Sequence, residues 1–363
     1  MKDNDFAEKF AFFVHPRVSA IEDMGKVFKP IAWIGKILTG KAKLWFENFL
    51  RNFSMRIGPM AFPCRIHGKR KPIGWIIVIP FMGESLLSIK HRESALKCME
   101  EGVKLASKLG AKIIGLGALT APATHGGRDL LGIARRCNVF ITNGNSLTGG
   151  ITAQTAIDIA EEFKIDLNSQ KISILGAAGS VGRSVSETLL KKGHKILCID
   201  INLAKIKSFE QTMIESDLGT NLEISTDQLR VGEGSLSILV TNGCREFLDN
   251  HLNIFKPGSV ILDDTQPRAL KRNPNESIVI DGGVLMTPSI KYGIDIGLDS
   301  HLAYACLGET ILMAYEGRLE NHIGDCTAES SAKEIESFMR NQHIIKVAPF
   351  RSFGKNIKAK QIV

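Results

Sequence analysis

Short apolar strands alternating with helical stretches predict an α/β fold built on parallel strands, and three observations carry the prediction. The first is a series of β-branched runs of strand length, from "IGWIIVIPF" at Ile73 to "SIVIDGG" ending at Gly283. The second is what lies between them: segments such as "RESALKCMEEGVKLASKLG", apolar at helical spacing and closed by Gly110. The third is "KISILGAAGSVGRSVSETLLKKG", in which one strand runs through a glycine-rich turn straight into a helix.

The elements follow in order. Residues 26–58 form a basic amphipathic segment: lysines and arginines at 26, 29, 36, 41, 43, 51 and 56 interleave with Trp33, Trp45, Phe46, Phe49 and Phe53, against Glu47 alone. Such a stretch is either a domain helix covering apolar surface or a lipid or partner surface. From about Ile73 come the strand "IGWIIVIPF", the helix ending at Gly110, the strand "AKIIGLG" and the loop "ALTAPATHGG". The helix "RDLLGIARRC", the strand and loop "NVFITNGN" and the helix "TAQTAIDIAEEFKI" follow. After a boundary near 166–170 a second series opens with the glycine motif and continues through "HKILCIDI", "LSILVTN", "GSVILDD" and "SIVIDGG". "HLAYACLGETILMAYEG" reads as one apolar helix, with Cys306 and Glu309 on one face between Leu302 and Met313. The expected division is an N-terminal α/β substrate domain over 1–168, a dinucleotide-binding domain over 169–290 and a short helical C-terminal region over 291–363.

Composition narrows the function classes. The 363 residues are 44% hydrophobic, enough for about two globular cores. Seven cysteines without a CxxC pair predict reduced thiols in a cytoplasm. No signal-peptide pattern opens the chain, and no uncharged apolar run reaches the about 18–20 residues that span a bilayer. The net charge of +8 favours an acidic partner, an anionic inner membrane face or an acidic protein, while no nucleic-acid motif is present. Nine scattered histidines without HExxH spacing give a metal no support.

The strongest site signal is Gly176-Ala-Ala-Gly179-Ser180-Val181-Gly182. Gly176 permits a tight turn, Gly179 lets backbone approach a pyrophosphate, and Gly182 allows close helix–strand packing. There is no Gly-Lys-Ser/Thr, so a nucleoside triphosphate loop is excluded. Asp200, 24 residues after Gly176, would accept ribose hydroxyls and repel a 2′-phosphate, which favours NAD(H) over NADP(H). Thr241, Asn242 and Gly243 in "VTNG" and Gly283 in "VIDGGVLMTP" stand at further strand ends and are expected to line the cofactor cleft. Thr142, Asn145 and Thr148 in "ITNGNSLTGG", with His125, are substrate-contact candidates.

With those motifs in view, the sequence resembles the long-chain acyl-(acyl carrier protein) reductases of cyanobacteria, which make fatty aldehydes for alkane synthesis. The resemblance runs from about Gly115 to Gly317 and rests on "GLGALT", "ITNGNSLT", "GAAGSVG", "VILDDTQPRAL", "VIDGGV" and "YACLGETILMAYEG". It implies an acyl-binding domain before a Rossmann domain, and a nucleophilic cysteine with an acid three residues on, matched by Cys306 and Glu309. The implied reaction is reduction of an acyl thioester, on carrier protein or coenzyme A, to an aldehyde through a Cys306 thioester. Glu309 then serves as a protonated donor or positioning group, because an ionised acid would oppose the thiolate. Asp200 departs from the family, which usually takes NADPH. Two other readings need no cysteine: a dehydrogenase resembling shikimate or methylene-tetrahydrofolate dehydrogenases, and a non-catalytic dinucleotide-binding sensor.

Overall fold

The computed structural model describes residues 6–16, 19, 21–23 and 29–357; Lys26, counted in the basic segment, lies outside them. The chain divides into two α/β units that alternate along the sequence. One takes residues up to Gly144 together with Thr287–Gly324, the other Asn145–Met286 together with Asp325–Val363.

The first unit opens with β1 (Lys9–Val14), α1 (Lys29–Ile37), α2 (Gly40–Ile57), β2 (Met60–Ile66) and β3 (Pro72–Val78). It continues through α3 (Arg92–Lys108), β4 (Ala111–Leu116), α4 (Leu131–Cys137) and β5 (Phe140–Thr142). Its sheet runs β2-β3-β1-β4-β5, with β3, β1, β4 and β5 parallel and β2 antiparallel; a short strand at Ile290–Lys291 pairs beyond β2. The strand series therefore begins well before Ile73. β1, "KFAFFV", is central in the sheet, and Phe10, Ala11, Phe12 and Phe13 are all buried. A strand covered on both faces is a continuous apolar run with no alternation to mark it, which is why periodicity passes over it.

The second unit holds α5 (Asn145–Glu162), β6 (Lys171–Leu175), α6 (Ser180–Lys191), β7 (Lys195–Ile199), α7 (Leu203–Glu215) and β8 (Leu222–Ser225). Next come β9 (Leu236–Leu239), β10 (Val260–Asp263) and β11 (Ile278–Asp281). All six strands are parallel, in the order β11-β10-β9-β6-β7-β8. From β6 the chain winds outward through β7 and β8, returns, and winds the other way through β9, β10 and β11. This is the doubly wound Rossmann order, as the sequence predicts. Its core joins Ile172, Ile174, Ile196, Ile238 and Leu262 of the sheet to Ala153, Ala156 and Ile159 of α5 and Val185 and Leu189 of α6. Each fully buried Ile or Leu stabilises by about 2 kcal/mol.

Two domain boundaries move. The cut expected at 168 falls at Gly144, because α5 presents its alanines and Ile159 to the second sheet. The expected C-terminal region divides: α8 (Ala305–Glu316) packs against β1 and β4 of the first unit, and α9 (Ala328–Arg340) against α5 and α6 of the second. "HLAYACLGETILMAYEG" is also not one helix. Leu302–Tyr304 is extended, Tyr304 (φ −75°, ψ 149°) is the N-cap, and Gly317 at φ 69° closes α8. Among the described residues no helix is long and apolar enough to cross a membrane.

Candidate dinucleotide site

The reversal of strand order puts the carboxyl ends of β6 and β9 side by side, and the glycine motif fills the turn after β6. Gly176 adopts φ 92°, a conformation L side chains avoid, and a Cβ there would lie 2.6 Å from Thr241 Cβ across the switch point. Its N–H and that of Ala177 donate to the Ile199 carbonyl at 2.8 and 3.1 Å, which pins the loop to the end of β7. Gly182 is buried, and a Cβ on it would overlap the Gly176 carbonyl oxygen. Gly179 is the exposed N-cap of α6, and a Cβ there would meet only the Gly176 oxygen, at 3.2 Å. The surface over the helix N-terminus is thus bare backbone, which an anion can approach and a side chain would cover.

The neighbouring candidates gather at the same edge. Asp200 follows β7; its Oδ2 accepts from Ala178 N at 3.2 Å and its Oδ1 from Asn202 N at 2.9 Å. Ser180 is in the first turn of α6, where its Oγ accepts from Asn145 Nδ2 and from Cys326 N, each at 3.0 Å. Val181 packs against the unit's core. After β9, Thr241 Oγ1 accepts from Gly243 N at 3.4 Å and Asn242 Oδ1 from Gln266 N at 3.0 Å. Asn145 and Thr148, read as loop residues, belong to α5, which starts directly after Gly144 at φ 70°.

Asp264, after β10, is a residue that sequence reasoning missed. Desolvation pushes its carboxyl up to about 7, aided by the neighbouring Asp263 charge and opposed by Thr152. Thr152 Oγ1 lies 2.6 Å from Asp264 Oδ2 and 2.8 Å from the Thr148 carbonyl. One hydroxyl proton cannot serve both acceptors; a protonated Asp264 that donates to Thr152 satisfies both. Gly283, at φ 61°, lies against this carboxyl, where a Cβ would overlap Asp264 Oδ1. The only cue in the sequence was the doubled acid of "VILDDTQ" at a strand end.

The remaining candidates are in the first unit. Thr142 Oγ1 accepts from Gly144 N at 2.9 Å and donates to Glu309 Oε1 at 2.5 Å. Glu309 is fully buried, and the same oxygen faces His322 Nδ1 at 3.1 Å, while His322 Nε2 lies 3.2 Å from Glu320. His322 also exchanges backbone hydrogen bonds with Ile141 and Asn143, each 2.9 Å, so Glu309 buttresses a segment that extends the sheet beyond β5. Neither His322 nor this bracing is legible in a spacing pattern, since the three groups are 142, 309 and 322 in sequence. Cys306 is part-exposed in the first turn of α8, with the backbone of Gly144 against it. Burial pushes the thiols of Cys64, Cys98, Cys198 and Cys244 up to about 12. His125, at φ 49°, is exposed and pairs with Asp129 at 2.9 Å.

No protein-family model matches the chain. It is similar to the aminotransferase PigE of Serratia sp. (strain ATCC 39006), 24% identical over 369 residues, with 98% of this chain and 41% of the relative covered. The chain thus spans about two fifths of that relative's length. Among solved structures it is similar to quinate dehydrogenase from Corynebacterium glutamicum with NAD (TM-score 0.36, 9% identity, 75% of this chain and 87% of that one). It is similar also to shikimate 5-dehydrogenase from Listeria monocytogenes with shikimate and NAD (0.35, 12%, 77% and 89%). These scores are low, and the Rossmann order stands on the strand pairing of this chain alone. The resemblance to acyl-(acyl carrier protein) reductases is overturned: the similar curated protein is an aminotransferase. Its motifs carried less than they promised. "GAAGSVG" is what any tight β6–α6 turn demands, and "VIDGG" is what close packing on Asp264 demands.

Proposed function

We propose that the chain is a nicotinamide-dinucleotide-dependent oxidoreductase of the dehydrogenase type, with NADH favoured over NADPH. The observation that carries this reading is the glycine turn at the reversal point of a six-stranded parallel sheet, with Asp200 at the end of the next strand. Backbone N–H groups and the α6 N-terminus suit a pyrophosphate, and the Asp200 carboxylate suits ribose hydroxyls. A Cβ at Gly182 or Gly176 would destroy the turn, so these residues fit that group. Bound there, a nicotinamide supplies a hydride donor or acceptor.

The chain's own part in such chemistry is to move the accompanying proton. Asp264 follows β10, so it stands at the same carboxyl edge as the glycine turn, and its carboxyl titrates near neutrality. When a hydroxyl-bearing carbon gives up hydride, its oxygen loses a proton, and a carboxylate at Asp264 takes it; the reverse step returns it. Thr152 holds that carboxyl in place. The test is titration with NADH and NADPH, followed by turnover with NAD+ and a panel of small hydroxy and amino acids. NADH binding with turnover supports the reading, binding without turnover favours a sensor, and binding of neither cofactor ends it.

A further inference from the structure

Every exposed tryptophan and phenylalanine among the described residues is in α1 or α2: Trp33, Trp45, Phe49 and Phe53. Trp33 and Trp45 are 66% and 67% exposed, and Ile37, Leu44 and Ile57 are exposed beside them. On α2, steps of four residues put Trp45, Phe49 and Phe53 on one stripe. Their rings stack as a ladder, with centroids 5.7 and 6.0 Å apart and planes within 13° and 7°. A different side of α2, with Leu50 and Ser54, is the one the fold buries; Leu50 packs with Ile21, Ile31 and Phe46. The helix therefore has two apolar sides, and tertiary packing uses one.

Charge says what suits the other. Lys29, Lys36, Lys41, Lys43 and Arg56 are exposed in the same two helices, with Lys41 one turn before Trp45. The acid of this segment, Glu47, turns inward and accepts from Ile21 N at 3.0 Å. Arg51 faces Glu84 at 3.8 Å. Aromatic rings interleaved with unopposed lysines are the composition that seats a helix in the headgroup region of a bilayer. We infer that α1 and α2 hold the protein on an anionic lipid bilayer, with the Trp45–Phe49–Phe53 ladder in the interface and the lysines on headgroup phosphates. This surface is independent of the dinucleotide reading.

The test is co-sedimentation of the full chain with phosphatidylcholine vesicles, with and without phosphatidylglycerol, at low and high salt. Binding to the anionic vesicles is expected, with a blue shift of tryptophan emission and marked weakening at 0.5 M salt, where screening shortens. A Trp45→Ser/Phe49→Ser double variant keeps its circular dichroism, because both side chains are exposed, and loses at least about tenfold in vesicle affinity. Neutralising one lysine costs about fivefold. Absence of sedimentation, salt-insensitive binding to neutral vesicles, or an unaffected double variant would overturn the inference. So would a dimer that the double variant breaks, or capture of a soluble acidic acyl carrier protein, in place of vesicle binding.

Discussion

Both sheets reverse their strand order about a central strand, β1 in the first unit and β6 in the second, yet the two reversal points are built differently. At the carboxyl end of β1 stands His15, nearly buried, whose Nε2 accepts from Leu119 N at 3.3 Å and whose Nδ1 lies 2.7 Å from the Pro16 carbonyl. At the end of β6 stand glycines, and the backbone is left bare over a helix N-terminus. Topology reverses in both; the absence of side chains leaves bare backbone at one of them, which is what the proposed anion contact needs. The buried acids differ in the same way. Glu309 is locked between Thr142 and His322 and braces the sheet, whereas Asp264 is desolvated to a pKa of about 7 at the carboxyl edge of the second sheet.

The largest effect is expected where an acid braces the fold. Glu309→Ala strips a buried partner from His322 and Thr142 and should cost about 3–5 kcal/mol in urea unfolding. A loss under about 1 kcal/mol would erase the distinction between the two acids. Next, Gly182→Ala drives a methyl into the Gly176 carbonyl and should cost about 2–3 kcal/mol by the same measurement. Gly179→Ala meets the same oxygen less closely, at 3.2 Å, a tight contact relieved by a shift of a few tenths of an ångström. It should therefore cost less than Gly182→Ala in unfolding while weakening dinucleotide binding.

The contrast between units is also a contrast in what could be read. The second unit was legible because its turn chemistry is local: strand, glycines and helix are consecutive, and Gly182 is demanded by its contact with Gly176 inside the motif. The first unit was less so. Phe10–Phe13 show no period, and α2 has two apolar sides that a single-face pattern merges. Cys306 and Glu309 were paired by helical spacing, yet Glu309 also reaches Thr142 and His322, contacts fixed by tertiary structure. Asp264 was hidden for another reason: its shifted titration comes from desolvation by the folded chain, and Thr152, the partner that opposes the shift, is 112 residues away.

Smaller effects sharpen the comparison at the cofactor edge. Asp200→Ala should weaken NADH by about tenfold and NADPH much less, since a carboxylate favours hydroxyls and repels a phosphate. Equal losses would place Asp200 away from the ribose. Asp264 makes a smaller, pH-dependent difference. Its folded pKa of about 7 lies above the usual carboxylate value, so its contribution to stability is full in acid and is lost as pH rises through 7. Relative to Asp264→Asn, the wild type should lose about 1 kcal/mol between pH 5 and 7.5, a figure reduced for the residue's part exposure. A flat difference would mean that Asp264 is ionised throughout.

The central claim is that the carboxyl edge of the second sheet, rather than that of the first, holds a nicotinamide dinucleotide. Hydrogen–deuterium exchange with and without saturating NADH tests it most directly, because it reports where the ligand sits without requiring a known substrate. Protection is expected at residues 176–183, 200–203 and 241–243. Unchanged exchange in those three segments, or protection confined to the loops after β1 and β4, would contradict it.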